Sequence, residues 1–251
     1  MRKKPSGDER VLLPDLKRTW MVSGGVGAAL WALAFVLWMQ GGVDEWALFL
    51  LDPARVSGTH LVRISRWLSG YGMAAITGLC VVYYLVQARR PVWDAPKTLY
   101  LYVIFSFGFS GIVGDLLKLV FARPRPAWVF GDQILALTDA TTHAIPSGHA
   151  TKAVALALPV LFLVASRPLG QGVWKWIVGL LALGVAASRI VLGAHYLSDV
   201  LAGIGMAFVG LPVGMFLAHL ILRKITVNQL PSAARKWVAI LAALSVGLPF
   251  L

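Results

Sequence analysis

The chain has 251 residues, a net charge of +12, 58% hydrophobic and only 14% charged residues, with a mean hydropathy of +0.75. A soluble domain carries about a quarter charged residues, so this apolar excess is more than one water-facing globule would bury, and lipid is the expected solvent. The positive charge lies in short segments between apolar runs, with no long basic stripe and no nucleic-acid motif; it fits membrane orientation and excludes nucleic acid as the partner.

Residues 1–19 are polar and read as a cytoplasmic N-terminal segment. The first apolar run, from Trp20 to Gln40, carries no charge. It starts too late and runs too long for a signal-peptide core, so a retained anchor is expected. The segment 44–70 has too few apolar residues to span. Within it Leu61, Ile64 and Leu68 recur at i, i+3 and i+7 beside Arg63, Arg66 and Trp67, a pattern that predicts an amphipathic helix on the outer surface. Five more apolar runs follow, at about 71–87, 98–117, 147–166, 174–193 and 197–222. Each approaches the ~20 residues needed to cross the hydrocarbon core, and helix is the expected state because lipid cannot satisfy backbone groups. Cys80, the single cysteine, lies in the second run and can form neither an internal disulfide nor a cysteine metal cluster. The C-terminal segment 223–251 ends in a 15-residue apolar run from Trp237 to Leu251, open between an interfacial helix, one packed on the bundle and a marginal seventh crossing.

The expected fold is therefore all-α: a polytopic membrane bundle of six transmembrane helices over residues 20–222. Basic residues gather at Arg2, Lys3, Lys4, Arg10, Lys17 and Arg18, at Arg89, Arg90 and Lys97, at Arg167 and Lys175, and at Arg223, Lys224, Arg235 and Lys236. Charge bias then predicts both termini in the cytoplasm, in a cytoplasmic (inner) membrane.

Three polar clusters interrupt the apolar chain, all on the extracytoplasmic side of that topology. Lys118 to Pro126 follows the third run, Pro146-Ser147-Gly148-His149 opens the fourth, and Ser188-Arg189 with His195 and Asp199 joins the fifth to the sixth. Lys118, Arg125 and Arg189 each cost about 2.5–3.5 kcal/mol or more at the bilayer centre unless paired or hydrated; together they call for a multivalent anion, and phosphate is the natural one. Ser147 reads as an N-cap, and the free N–H groups of the helix start would form a second anion surface, with Gly148 permitting close approach. His195 and Asp199, four apart, fall on one helix face if the last helix begins near His195. A carboxylate on one imidazole nitrogen leaves the other free to attack, and His149 suits general acid work.

These residues resemble the three-part signature of the type-2 phosphatidic acid phosphatase superfamily: Lys118-x6-Arg125-Pro126, Pro146-Ser147-Gly148-His149 and Ser188-Arg189-x5-His195-x3-Asp199 match it at every position and in order. The resemblance covers roughly the third to the sixth run. It implies that His195 attacks phosphorus and becomes phosphohistidine, that Asp199 orients it, and that His149 protonates the leaving group and then activates water. Lys118, Arg125, Ser147, Gly148 and Arg189 would bind the phosphate oxygens, with no metal and no cofactor, and the substrate would be a lipid phosphomonoester or diphosphate held in the bilayer: phosphatidate, phosphatidylglycerol phosphate, undecaprenyl diphosphate or lipid A.

Outside the signature, Arg123 is open between a lipid headgroup contact and a solvated loop charge. Lys152, three residues after His149, is a candidate for a second phosphate, with snorkelling or helix packing as the plain alternative. Asp115 is expected to pair locally with Lys118, and Ser188 to bond either phosphate or a nearby carbonyl. Two rival readings use the same pocket. Vanadate-dependent haloperoxidase chemistry is disfavoured by the membrane setting, and lipid or anion transport has no need of two histidines with an orienting carboxylate.

Overall fold

Every regular element among the described residues is helical. The structure is a computed structural model and describes residues 16–56, 59–88, 95–137, 141–164 and 172–224. In chain order the helices are α1 (Leu16–Gln40), α2 (Gly42–Leu50), α3 (Pro53–Val56), α4 (His60–Ala88), α5 (Ala95–Phe121), α6 (Pro126–Phe130), α7 (Gly148–Val164), α8 (Gly172–Val191) and α9 (Leu197–Lys224). Most of the predicted N-terminal segment, Arg89, Arg90, Arg167 and the run from Trp237 to Leu251 lie outside the described residues.

Among the described residues four helices, α1, α5, α8 and α9, are long and apolar enough to cross a membrane, which supports four of the six predicted crossings. The fourth predicted run falls on α7, where the apolar stretch covers Gly148–Phe162. The second falls on the C-terminal part of α4, a helix of 29 residues. The outer surfaces of these helices carry large exposed apolar side chains such as Met39, Ile112, Leu119, Val120 and Leu180, as expected where lipid rather than water is the neighbour.

The separate surface helix expected within 44–70 does not form. Leu61, Ile64 and Leu68 belong to α4, which runs without interruption into the next apolar stretch. The reason is packing. A Cβ on Gly184 of α8 would lie 3.1 Å from Leu68 Cδ1, and one on Gly72 would lie 2.4 Å from Val185 Cγ2. Leu68 thus fills a notch on α8 and joins the main core, while Leu61 and Ile64 stay exposed.

At the centre stands α7, buried at every residue from 153 to 160. A helix apolar all round is stable only when surrounded, and α7 packs against α4, α5, α8 and α9. On the other side of α9 lies α1. There the backbones nearly touch, since a Cβ on Gly27 would lie 2.9 Å from the Gly205 carbonyl oxygen; small residues permit such contacts in membrane bundles. Pro212, inside α9, removes the N–H that would bond the carbonyl four residues earlier. That carbonyl, on Phe208, accepts instead from Ser23 Oγ of α1 at 2.5 Å.

Candidate active site

Four helix ends meet at one pole of the bundle, and backbone hydrogen bonds join them. Ala144 N–H donates to the Arg123 carbonyl at 2.9 Å, and Ser147 N–H donates to the Asp199 carbonyl at 2.9 Å. The N–H groups of Ala194 and His195 both donate to the Arg189 carbonyl, at 3.1 and 3.2 Å. The C-terminal ends of α5 and α8 are thereby locked to the N-terminal ends of α7 and α9, and the three polar segments form one cluster.

The Arg-Pro-Arg-Pro run explains how two arginines enter it. A residue before proline is pushed to extended backbone, and Arg125 has φ −77° and ψ 158°. In extended chain, side chains two apart point the same way. Arg123 and Arg125 are accordingly both buried, while Pro124 between them is exposed. On the opposite wall, Gly193 at φ 66° closes the turn from α8 to α9 against the backbone of Leu135 and Ala136, a conformation open to glycine.

Arg125 is held in place by neutral oxygens. Its Nε donates to the Thr142 carbonyl at 2.5 Å, its Nη2 to Thr142 Oγ1 at 3.1 Å, and its Nη1 to the Ala194 carbonyl at 3.1 Å. The same Nη1 lies 3.2 Å from His195 Nε2. A guanidinium only donates, so Nε2 is the unprotonated nitrogen and the imidazole proton is on Nδ1. That nitrogen faces Asp199 Oδ2 at 3.5 Å, longer than a good hydrogen bond. Burial holds the His195 imidazole well below its ordinary range, reinforced by the charges of Arg125, Arg189 and Lys118 and opposed by a bond with the Ala144 backbone. The ring is therefore neutral, with its lone pair beside a cation.

The other residues expected to bind an anion lie in the same cluster. Arg189 is buried; its Nη1 donates to Ser69 Oγ of α4, and its Nε is buried with no partner among the described residues. Lys118 Nζ pairs with Asp115 Oδ1 at 2.8 Å, the local pair expected, and lies 3.2 Å from where a Cβ on Gly148 would stand. Ser147 occupies the N-cap position of α7: its carbonyl accepts from Thr151 N–H at 2.9 Å. Its hydroxyl does not cap the helix, being fully buried with no hydrogen-bond partner among the described residues. His149, in the first turn of α7, is electrostatically coupled to Arg189, His195, Lys152 and Lys118. Lys152 crosses α5 at Gly111, its Cε 3.7 Å from where a Cβ there would stand. Ser188 Oγ donates to the Val185 carbonyl at 2.6 Å, the plain alternative for that residue.

Arg123 is neither a solvated loop charge nor turned to the cationic cluster. Its Nη1 donates to Asp199 Oδ1 and Ser198 Oγ, both at 2.6 Å, and its Nη2 to Asp44 Oδ2 at 2.8 Å. The guanidinium lies 4.1 Å from the Tyr196 ring centre and 5.2 Å from that of Trp38. Asp199, the third helical residue of α9, also accepts from the Tyr196 N–H at 2.9 Å, the carboxylate half of a capping box. Sequence reasoning missed Asp44, Thr142, Ser69 and Ser198. The one available signal was Asp44 itself, a carboxylate in an apolar stretch of a chain with 11 acidic residues. Among the described residues no three His, Cys, Asp or Glu side chains converge as metal ligands.

Comparison with known proteins identifies the family. Residues 99–220 match the model of the PAP2 superfamily. The chain is 30% identical to phosphatidylglycerophosphatase B of Bacillus subtilis over 68% of its own length and 85% of that protein. It is 28% identical to an undecaprenyl-diphosphatase of Sulfolobus acidocaldarius, over 57% of this chain and 70% of that one. The crystal structure of a transmembrane PAP2-type phosphatidylglycerolphosphate phosphatase from Bacillus subtilis overlaps it with a TM-score of 0.39 at 24% identity, covering 72% of this chain and 97% of that chain. With its signature intact and its extended match to a relative at that identity, the chain belongs to the PAP2 superfamily and is an integral membrane phosphatase.

Proposed function

We propose that this enzyme hydrolyses a phosphomonoester or diphosphate of a membrane lipid through a phosphohistidine at His195, without a metal ion. One observation carries the reading: the unprotonated Nε2 of a neutral, buried imidazole lies 3.2 Å from Arg125 Nη1, so the nucleophile and an anion-binding cation share one point.

The steps follow from the residues. The phosphate oxygens take the donors of Lys118, Arg125, Arg189 and Ser147 and the N–H groups at the start of α7, where the helix dipole favours an anion. An exposed ion pair is worth about 0–1 kcal/mol, so a phosphate displaces Asp115 from Lys118 at little cost. His195 Nε2 then attacks phosphorus as the P–O bond to the lipid breaks, and His149 gives its proton to the departing oxygen. The positive imidazolium that forms is stabilised by Asp199. His149 next takes a proton from water, the hydroxide attacks the phosphohistidine, and inorganic phosphate leaves with His195 neutral again. Cations placed where charge develops supply much of the rate in such sites.

The relatives act, by name, on lipid-linked phosphates and diphosphates, which supports a lipid phosphate as the substrate class here. Lys152 is the candidate for a second phosphate. The six-crossing topology in a cytoplasmic membrane, with the site on the extracytoplasmic face, rests on the distribution of charge.

Purified protein in detergent is expected to release phosphate from a panel of lipid phosphates and diphosphates in the presence of EDTA. His195→Ala should lose at least about 10³-fold in kcat, the scale of removing a nucleophile. Activity of His195→Ala within tenfold of the parent refutes the phosphohistidine route.

A further inference from the structure

We infer that Asp44, on α2 and outside the catalytic signature, is a positioning residue for the reaction: through Arg123 it sets the Asp199 carboxylate that holds the His195 tautomer. The inference rests on His195 acting as the nucleophile.

The arrangement is a chain of charge-assisted contacts. Asp44 Oδ2 accepts from Arg123 Nη2 at 2.8 Å, and Arg123 Nη1 donates to Asp199 Oδ1 at 2.6 Å. Asp199 presents its other oxygen, Oδ2, to His195 Nδ1. Each member is buried: Asp44 is 1% exposed, Arg123 6%, Asp199 0% and His195 2%. Asp44 also holds the preceding residue of α9, for its Oδ1 accepts from Ser198 N–H at 2.8 Å and its Oδ2 from the Ser198 hydroxyl. Ser198 Oγ is in turn 2.6 Å from Arg123 Nη1.

Geometry explains why Asp199 needs this support. Its Oδ2 lies 3.5 Å from His195 Nδ1, too far for a good hydrogen bond, while Arg123 and the Tyr196 N–H claim the carboxylate at 2.6 and 2.9 Å. The direction in which the carboxylate faces the imidazole is therefore set by Arg123, and the rotation of Arg123 by Asp44. Without Asp44, the guanidinium is free to take Asp199 in both oxygens, the bidentate geometry arginine favours. Oδ2 would then turn from Nδ1, and the imidazole would lose the group that stabilises it as it becomes positive. Two carboxylates around one buried arginine would be excessive if the pair existed only to neutralise Arg123, since one suffices for its charge. The second is consistent with a role in direction. Outer partners of this kind orient reacting groups in many sites.

The expected signature separates positioning from folding. Asp44→Asn can still accept Ser198 N–H through its amide oxygen but presents an NH₂ to Arg123. Its kcat should fall by about 10–100-fold, the range for loss of an orienting outer partner. KM and the inhibition constant for inorganic phosphate should stay within about threefold, because Lys118, Arg125 and Arg189 are untouched. Acid-labile phosphoenzyme trapped by rapid quench should form more slowly in the same proportion, and Asp44→Glu should recover part of the loss. If Asp44→Asn does not fold in detergent, Arg123→Lys serves instead; it keeps a cation between the two carboxylates but removes the fork that ties Asp199 to Asp44, and should lose about tenfold in kcat at constant KM.

Asp44→Asn with kcat within twofold of the parent overturns the inference, as does a kcat loss matched by equal weakening of phosphate inhibition. Arg123→Lys at parental kcat overturns it where that variant is the one measured. His195→Ala in the same assay distinguishes the two levels. If it is inactive while Asp44→Asn is fully active, only the role of Asp44 fails; if it is active, the phosphohistidine reading itself fails.

Discussion

Arg123 and Arg125 are two residues apart, leave the same extended segment and are buried to nearly the same degree, 6% and 7% exposed, yet they build opposite halves of the site. Arg123 is matched by two carboxylates and spends its charge inside the protein. Arg125 meets only carbonyls, a hydroxyl and an imidazole nitrogen, so its charge remains available to an anion. In the proposed site, burial and residue type therefore do not distinguish the structural arginine from the one assigned to bind phosphate; the formal charge of the partners does. One side of His195 is an ion-paired frame of Asp44, Arg123, Ser198 and Asp199. The other is a cationic cradle of Lys118, Arg125 and Arg189 at the start of α7.

The largest test replaces each arginine by glutamine. Arg123→Gln leaves Asp44 and Asp199 buried without their cation, and breaking one side of a buried pair costs about 3–5 kcal/mol. Thermal unfolding in detergent should show this as a much lower midpoint, while the folded fraction keeps its inhibition constant for inorganic phosphate. Arg125→Gln should do the reverse: a drop of about 10²–10³-fold in kcat/KM, the usual range for an electrostatic donor at the reacting atoms, with weaker phosphate inhibition and a smaller shift in midpoint. Equal effects of the two on phosphate binding would dissolve the division into halves.

Glycines at the joint sharpen the same contrast. Gly203 of α9 lies where the frame meets the cradle, and a Cβ there would stand 2.6 Å from the Ser147 carbonyl oxygen, which is backbone and cannot give way. Gly203→Ala should push α7 from α9, cost about 1–3 kcal/mol as overpacking does, and reduce kcat about tenfold or more through misplacement of Ser147 and His149. Gly148→Ala meets only the flexible end of Lys118, at 3.2 Å. It should leave the unfolding midpoint nearly unchanged and raise KM, because its methyl occupies space that a phosphate oxygen approaches. A stable, fully active Gly203→Ala would show that the two halves need no fixed spacing.

Much of the cradle was legible before any coordinates. Lys118, Arg125, Arg189, Ser147 and His149 stand out because charge and polarity are rare in an apolar chain, and rarity in lipid carries meaning. The frame was not legible. Asp44 lies 79 residues from Arg123 and 154 from Ser198, and no local period links them. Arg123 was ambiguous for the same reason, since like Arg125 it precedes a proline and nothing local names its partner. In the fold, apolar periodicity located the helices but could not tell that Leu68 would find the notch at Gly184, which is what joins the outer segment to α4. Patterns along the chain report solvent; partners across it depend on which small residues let helices approach.

The smallest expected effect is electrostatic and reads the cradle alone. Burial, Arg125, Arg189 and Lys118 lower His195 below its ordinary 6.5, and Arg123 is not among those causes. Between the folded value and 6.5 the unfolded chain binds more protons at this residue than the folded one. Its contribution to stability is therefore full above about pH 6.5 and is lost as pH falls toward the folded value. The same sign governs rate: the neutral nucleophile persists in acid, and the His195 limb of kcat/KM should lie below pH 6.5. Substrate ionisation also falls in this range, so the informative quantity is the difference between proteins on one substrate. Arg125→Gln should move the acid limb up by up to about one pH unit, as expected for removing a nearby like charge. Where Arg123→Lys retains activity, its limb should stay near the parental position, because the charge between the two carboxylates is unchanged. An upward shift in Arg123→Lys as large as that in Arg125→Gln would mean that His195 senses both halves alike, and the distinction between frame and cradle would have no electrostatic content.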